Sequence, residues 1–541
     1  LRFTDGHSSS GVCSPSRYTL LTGRYHWRTR LQTGIVGVFG SPLIAADRLT
    51  IAGLAKLHGY RTAAIGKWHL GWDWPVTPEQ RALMHATRKA GKGDEAPPKG
   101  SAAPTAKQVA AWQEVFSKPI VNGPTTRGFD SYFGTDVPNW PPYCFIENDR
   151  TLGIPTVFLS PRDLKANLAS LPGPALKDWN LERILPTLGD RAAEFITESA
   201  KKPEPFLLYL PLTSPHTPLA VSREWQEKSG LNTYADFVMQ MDAVVGRVLE
   251  SLQKSGAAER TIVIFTSDNG CAPYIGAAAL RKRGHFPSGP LRGYKSDAWE
   301  GGHRVPFIVR WPGIVQPGTV CGQLVQQADM MATIAEVLGA KLPDSAGEDS
   351  FSLLPLLKGH DRPVRDTAVN CSINGVPSVR QGVWNLILAP GSGGWTKGGD
   401  KSGPIQLYNL ADDLGQTKNL AGEQPERVAQ MKKLIEKLIT DGRSTPGARQ
   451  MNDVEVRRFP RKADGAKNGH KKVSKHPGPW ELYHIERRPS RNDGPGREGT
   501  RTRPGDVRPM ANLGGASARL AIASVEEMRI GHGYDFTPLA W

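Results

Sequence analysis

The residues with chemistry to offer fall in five short stretches. The first is Val12-Cys13-Ser14-Pro15-Ser16-Arg17, followed by Leu20-Leu21-Thr22-Gly23-Arg24. Ser14 is a favourable N-cap and Pro15 suits the first helical position, so a helix is predicted to start here. Its N–H groups and dipole would favour an anion beside Cys13, and Arg17 adds a permanently charged fork. Alone, Cys13 reads as a buried thiol. The second stretch, Gly66-Lys67-Trp68-His69-Leu70-Gly71, sets a lysine and a histidine two apart. On an extended chain both would point to one side. The third places His216 between Pro215 and Pro218. The fourth, Ser267-Asp268-Asn269-Gly270, ends an apolar run with two hard oxygen donors suited to Ca²⁺ or Mg²⁺. By itself it reads as a turn. The fifth is Leu291–Lys295 with Glu300-Gly301-Gly302-His303-Arg304-Val305-Pro306.

The elements that must hold these residues alternate along the chain. Leu49–Leu57 has helical apolar spacing and stops at Gly59. Tyr60–Ile65, Phe206–Leu212, Thr261–Thr266 and Val305–Trp311 read as strands, and the first three run into candidate stretches. Tyr234–Lys254 is the clearest helix, with Phe237, Met241, Val244, Val245, Val248 and Leu252 on one stripe. Asp329–Leu338 is a further helix. The rhythm predicts an α/β fold, a mostly parallel sheet flanked by helices, over residues 1–364. A smaller α+β subdomain is expected over 365–455, with strands Val379–Leu388 and Ile405–Leu410 and a helix Glu426–Thr440. Residues 456–541 lose apolar periodicity and are expected to form a basic tail without a fold. Pro78–Thr126 is a polar insertion with one helix, Ala106–Phe116.

Cys-x-Pro-Ser-Arg followed by Leu-Thr-Gly-Arg resembles the signature of type I sulfatases, and the other four stretches recur in that family's order. The resemblance covers about residues 1–455, includes Leu407-Tyr408-Asn409-Leu410, and lies nearest arylsulfatase-like bacterial members. It implies an alkaline-phosphatase-like fold and hydrolysis of sulfate monoesters, aryl or glycan. It implies that a separate maturation enzyme oxidises Cys13 to formylglycine, whose hydrate is the nucleophile. Carried over by the motifs, Arg17 and Lys67 would orient that group, and His216 and Lys295 would hold the sulfate and protonate the leaving alcohol. His69 would accept the proton that lets sulfate leave. Asp268, Asn269 and residue 13 would bind Ca²⁺ or Mg²⁺. Such proteins are commonly exported, so a periplasmic or secreted location is expected. Trp140 and Tyr143, in the aromatic and proline-rich stretch Gly134–Asn148, would either stack on a substrate ring or pack in the core.

One departure stands out. The family pairs two adjacent acids just after its first strand, upstream of the cysteine. Only Asp5 precedes Cys13 here, in a segment without ligand character. The expectation is a chain lacking its first strand, with a metal shell short of the six to eight oxygens Ca²⁺ takes.

Composition bounds the alternatives. The chain has 541 residues and a formal net charge of +16, half of it in Gly442–Trp541. The body is mildly basic and has no arginine–aromatic pattern of a nucleic-acid reader, so no nucleic-acid partner is expected. Five scattered cysteines exclude a zinc ribbon, and no apolar run is long enough for a membrane span. A phosphoric or phosphonic ester hydrolase on the same fold, and a non-catalytic polyanion-binding chain, are the competing functions.

Overall fold

Alternating side-chain direction explains the centre of the molecule. Along Phe206–Pro211, Phe206, Leu208 and Leu210 join one apolar cluster, and Leu207 and Tyr209 join another on the opposite face. Ile262 and Ile264 against Val263 repeat the pattern along Thr261–Ser267. A strand apolar on both faces must lie inside a sheet covered twice. The helices Ile184–Ala200 and Thr233–Lys254 cover one face, and Cys13–Thr22, Ile51–Leu57 and Met330–Val337 the other.

The computed structural model describes residues 1–84, 104–160, 163–164, 169–398, 403–459 and 519–525. Its strands in chain order are β1 (Arg2–His7), β2 (Arg61–Lys67), β3 (Ser131–Thr135), β4 (Ile146–Glu147), β5 (Arg150–Thr151), β6 (Val157–Leu159), β7 (Gly173–Ala175) and β8 (Phe206–Pro211). They continue with β9 (Thr261–Ser267), β10 (Phe307–Arg310), β11 (Val320–Gln326), β12 (Thr367–Cys371), β13 (Pro377–Gln381), β14 (Trp384–Ile387), β15 (Gln406–Asn409) and β16 (Arg519–Val525). Ten form one sheet in the order β11-β1-β10-β9-β16-β8-β2-β3-β4-β5. From β9 to β3 every neighbouring pair is parallel, while β10 runs antiparallel to both of its neighbours.

The subdomain is the antiparallel sheet β12-β13-β14-β15. The helix Pro425–Asp441 packs on it through Met431, Ile435, Leu438 and Ile439. The expected single strand Val379–Leu388 is a hairpin instead. Gly382, at φ 54, turns the chain between β13 and β14. An apolar run hides a turn when one glycine supplies it.

One expectation about the chain's last residues is corrected. Arg519–Val525, read as part of a fold-less tail, is a central strand parallel to both β8 and β9. Its Leu520 and Ile522 are buried in the same cluster as Leu207 and Ile264. Seven residues, six of them small or apolar, suffice for a strand when both neighbours are already in place. The place between β8 and β9, where a missing strand would leave two open edges, is therefore filled. The rest of 460–541 lies outside the described residues, as does 85–103 of the polar insertion. The helix Ala106–Phe116 forms as expected, capped by Thr105 and Gln108.

Candidate active site

Ligand sites in open α/β sheets lie at the carboxyl ends of parallel strands, and the motifs converge there. Lys67 ends β2, Asp268 and Asn269 follow β9, and His216 lies in the loop after β8. The helix Cys13–Thr22 follows the loop after β1. It begins at Cys13 with Val12 as N-cap and no side-chain cap. Ser14 is therefore not the cap; its hydroxyl accepts from Val36 N at 3.2 Å. Cys13 thus occupies the first helical position, closer to the helix's N–H groups than predicted.

A cleft of about 380 Å³, part of it open to solvent, brings together Cys13, Lys67, His69, His216 and Lys295. All five are buried. Cys13 Sγ lies 3.2 Å from His69 Nδ1, and His69 Nε2 lies 3.0 Å from Val36 O. A carbonyl only accepts, so Nε2 carries the proton and Nδ1 of the neutral ring faces residue 13 as an acceptor. His69 has φ 52, so Lys67 and His69 meet the cleft through a left-handed turn rather than along an extended segment. Asp136 braces that turn. Its Oδ1 accepts from His69 N and Trp72 Nε1, each at 3.2 Å. Burial raises the Asp136 carboxyl's pKa despite the opposing His69, Trp72 and Lys67. His216 Nδ1 donates to Thr217 O at 2.6 Å, which assigns proton exchange on this ring to Nε2. Lys295 precedes Ser296, at φ 82, and its N–H donates to Cys271 O. Left-handed residues beside two site side chains are strain the surrounding packing must hold.

Arg17 takes a different place from the one predicted. It does not line the cleft. Its Nε and Nη2 contact Asp268 Oδ2, both at 2.9 Å, and Nη1 donates to Lys67 O at 2.8 Å. It therefore ties the end of β9 to the end of β2. Asn269 Nδ2 donates to Gly270 O, while its Oδ1 is buried without a hydrogen-bond partner among the described residues. A buried, unsatisfied carbonyl oxygen beside a carboxylate fits a hard divalent cation. Asp268 and Asn269 would hold it, with an oxygen on residue 13.

The aromatic stretch divides. Trp140 lines the cleft and packs edge-on against His69 at 5.4 Å, its indole N–H donating to Ala169 O. Tyr143 is core: its Oη lies 2.8 Å from Asn139 O and 2.7 Å from Leu171 O. None of the described residues of the 78–126 insertion lines the cleft. Sequence reasoning missed Asn139, Tyr274, Ile373 and Trp395, which do. Trp395 stands in Gly391-Ser392-Gly393-Gly394-Trp395, a lone large ring in a glycine loop, the one signal that marked it.

His7, Glu300 and His303 bring donor atoms within 4.8 Å of one another. Ion pairing accounts for them. Asp5 accepts from His7 Nε2 at 2.8 Å and Arg380 Nη2 at 3.0 Å, and Glu300 pairs with Arg304 and Arg380. Burial would raise the Glu300 carboxyl, but His7, Arg380, His303 and Arg304 hold it low. With two arginines already neutralising two carboxylates, a divalent cation would be repelled. Asp5 is thus no metal ligand of the cleft.

Two lysines and two imidazoles around a buried thiol at a helix N-terminus, on a doubly covered α/β sheet, define a hydrolase of anionic esters. The sulfatase family model matches residues 1–340. The N-acetylgalactosamine-6-O-sulfatase of Bacteroides thetaiotaomicron is 30% identical over 482 residues, covering 81% of this chain and 86% of the relative. Human arylsulfatase A is 28% identical over 461 residues, covering 80% of each. A solved B. thetaiotaomicron sulfatase described with glycosaminoglycan metabolism matches at TM-score 0.65 and 28% identity, over 81% of this chain and 91% of that one. The chain belongs to the sulfatase family. It is a sulfuric-ester hydrolase acting on sulfate monoesters, in a family that works through formylglycine and a metal ion.

Proposed function

We propose that the substrate is a glycan sulfate monoester, that Cys13 is converted to formylglycine by a separate maturation enzyme, and that the cation is Ca²⁺. The observation that carries the substrate class is the contrast between floor and mouth of the cleft. Its floor is cationic, while Ile35, Ile373, Tyr274 and Trp395 line it with apolar surface. Tyr274 and Trp395 sit 5.9 Å apart, and Tyr274 is 46% exposed. Rigid rings above a sulfate-sized charge suit the apolar face of a sugar. The 30% identical relative named for N-acetylgalactosamine 6-sulfate supports the same class.

Residue 13, once oxidised and hydrated, supplies the oxygen nucleophile. Lys67 and Lys295 neutralise charge on the sulfonyl oxygens, in a buried setting where fixed cations outperform water. His216 Nε2 gives the leaving alcohol its proton. His69 Nδ1, already facing residue 13, accepts the proton that releases sulfate. Arg17 acts through Asp268 and the Lys67 carbonyl as a positioning residue. Ca²⁺ fits the hard oxygens of Asp268 and Asn269. Export to the periplasm or beyond accords with the proposed substrate.

The test compares N-acetylgalactosamine 6-sulfate, p-nitrophenyl sulfate and p-nitrophenyl phosphate, with mass spectrometry of the Cys13 peptide. Turnover of the sugar sulfate by aldehyde-bearing protein is expected. Dominant phosphate turnover would transfer the chain to phosphoric esters; polyanion binding without turnover of any ester would make it a binding protein.

A further inference from the structure

Asn139 is 2% exposed and forms part of the cleft wall. Its backbone is fixed by Tyr143 Oη and Leu171 N, which both bond to Asn139 O. Its side chain is fixed as well. Nδ2 donates to Ala169 O, the carbonyl that also receives Trp140 Nε1 at 3.1 Å. Turning the amide over would set Oδ1 against a carbonyl oxygen, so the orientation is decided by chemistry. Asn139 Oδ1 is then a buried acceptor with no hydrogen-bond partner among the described residues. Such an acceptor is unfavourable to leave unmade, and a rigid one beside a reaction site needs a donor from outside.

We propose that Asn139 Oδ1 is a specificity determinant that accepts a hydrogen bond from the sulfate-bearing ring of the substrate. The ligand chemistry follows. The partner must be an O–H or N–H, such as a sugar hydroxyl or amide, because sulfate and carboxylate oxygens would be repelled by a second acceptor. Asn139 lines the same cleft as Lys67, His216 and Lys295, so the donor lies on the ring that carries the ester. An aryl sulfate such as p-nitrophenyl sulfate offers no donor and gains nothing from Asn139. The inference rests on the glycan reading above and adds that one buried acceptor tells a sugar from an aryl group. Sites built to bond a substrate hydroxyl reject analogues lacking it far more strongly than apolar pockets reject a size change.

The experiment compares matured wild type with Asn139→Ala on N-acetylgalactosamine 6-sulfate, on its monodeoxy and 2-deoxy analogues, and on p-nitrophenyl sulfate. In N139A, kcat/KM for the sugar is expected to fall by on the order of 10–100-fold, while that for p-nitrophenyl sulfate changes less than about threefold. Wild type discriminates against one analogue by a similar factor, and N139A accepts parent and analogue alike. Equal losses on sugar and aryl esters, or no discrimination among analogues by wild type, would overturn the assignment. Should N139A not fold, Asn139→Leu, which keeps the volume, takes its place. The glycan reading fails separately, if matured wild type turns over no sugar ester. Calorimetric binding of the same sugar to Cys13→Ser and to the Cys13→Ser, Asn139→Ala double variant then decides Asn139 by itself; equal affinities would refute its role.

Discussion

His69 shows how two contacts set a residue's chemistry. Val36 O fixes the proton on Nε2, so Nδ1 faces residue 13 as a base without any reorganisation. Replacing it in His69→Gln keeps polar character but removes the titrating nitrogen. General-base loss of this kind costs about 10²–10⁴ in rate, so kcat for an aryl sulfate is expected to fall within that range while KM moves only a few-fold. A steady-state assay checks it; an unchanged kcat would remove His69 from the proton path. A second histidine acts on stability. Burial of His26 drives its pKa down to about 3, so the folded protein keeps the ring neutral while the unfolded chain protonates it near 6.5. The unfolded state binds more protons between those values. Stability is therefore complete above about pH 6.5 and declines as pH falls toward 3, by up to about 1.4 kcal/mol per pH unit from this one ring. Denaturant unfolding from pH 7 to 4 should show a shallower decline in His26→Gln than in wild type.

At the scale of elements, the glycine loop between β14 and β15 matters most, because it carries a subdomain residue into the catalytic cleft. Trp395 N accepts no freedom of its own: it donates to Ser296 Oγ at 2.8 Å, one residue from Lys295. Thr396 also bonds Asp297, so the loop and the lysine segment form one clamp. The ring is expected to carry the next sugar of an oligosaccharide. Trp395→Ala should raise KM for a sulfated oligosaccharide about tenfold with little change in kcat, Trp395→Phe should restore most of it, and p-nitrophenyl sulfate should report no change. Loss of kcat on all substrates would instead show that Trp395 only holds Lys295. The same loop shows where sequence reading ends. Lys67, His69, His216, Asp268 and Lys295 were legible because each stands at the end of an apolar run or in a dense local motif. Trp395 is separated from Lys295 by a hundred residues and meets it only through tertiary hydrogen bonds. Asn139 looked like one polar residue in an aromatic stretch, and only the fixed amide orientation reveals its acceptor. Arg17 carried the right charge, but its target, Asp268 rather than the cleft, depends on how the helix Cys13–Thr22 sits over the ends of β9 and β2, which β16 and β8 separate.

For the whole molecule, the decisive element is β16, a short strand far along the chain that completes the sheet's centre. It aligns Arg519–Val525 with Thr261–Ser267 on one side and Leu520–Ser524 with Leu207–Pro211 on the other. Composition marked the region as expendable, since its neighbours are rich in Arg, Pro and Gly and its apolar run is brief. Its value comes from position. Burying Leu520 and Ile522 contributes about 1.5–3 kcal/mol each, and removal would also leave two strand edges unpaired inside the core. That total rivals the roughly 5–15 kcal/mol by which a domain is stable. A chain ended after Phe459 should therefore be insoluble or melt well below the full chain, whereas one ended after Val525 should fold. The same measurement also probes the cation. Val525 pairs with Ser267, the residue before Asp268, so β16 helps to hold the segment that would bind it. Calcium should accordingly raise the melting temperature of the full chain, since a ligand that binds the folded state alone stabilises it, and should do so less in Asp268→Asn. Equal calcium shifts in both would show that Asp268 is not a ligand. A soluble, fully stable chain ending at Phe459 would show that β8 and β9 close on each other without β16.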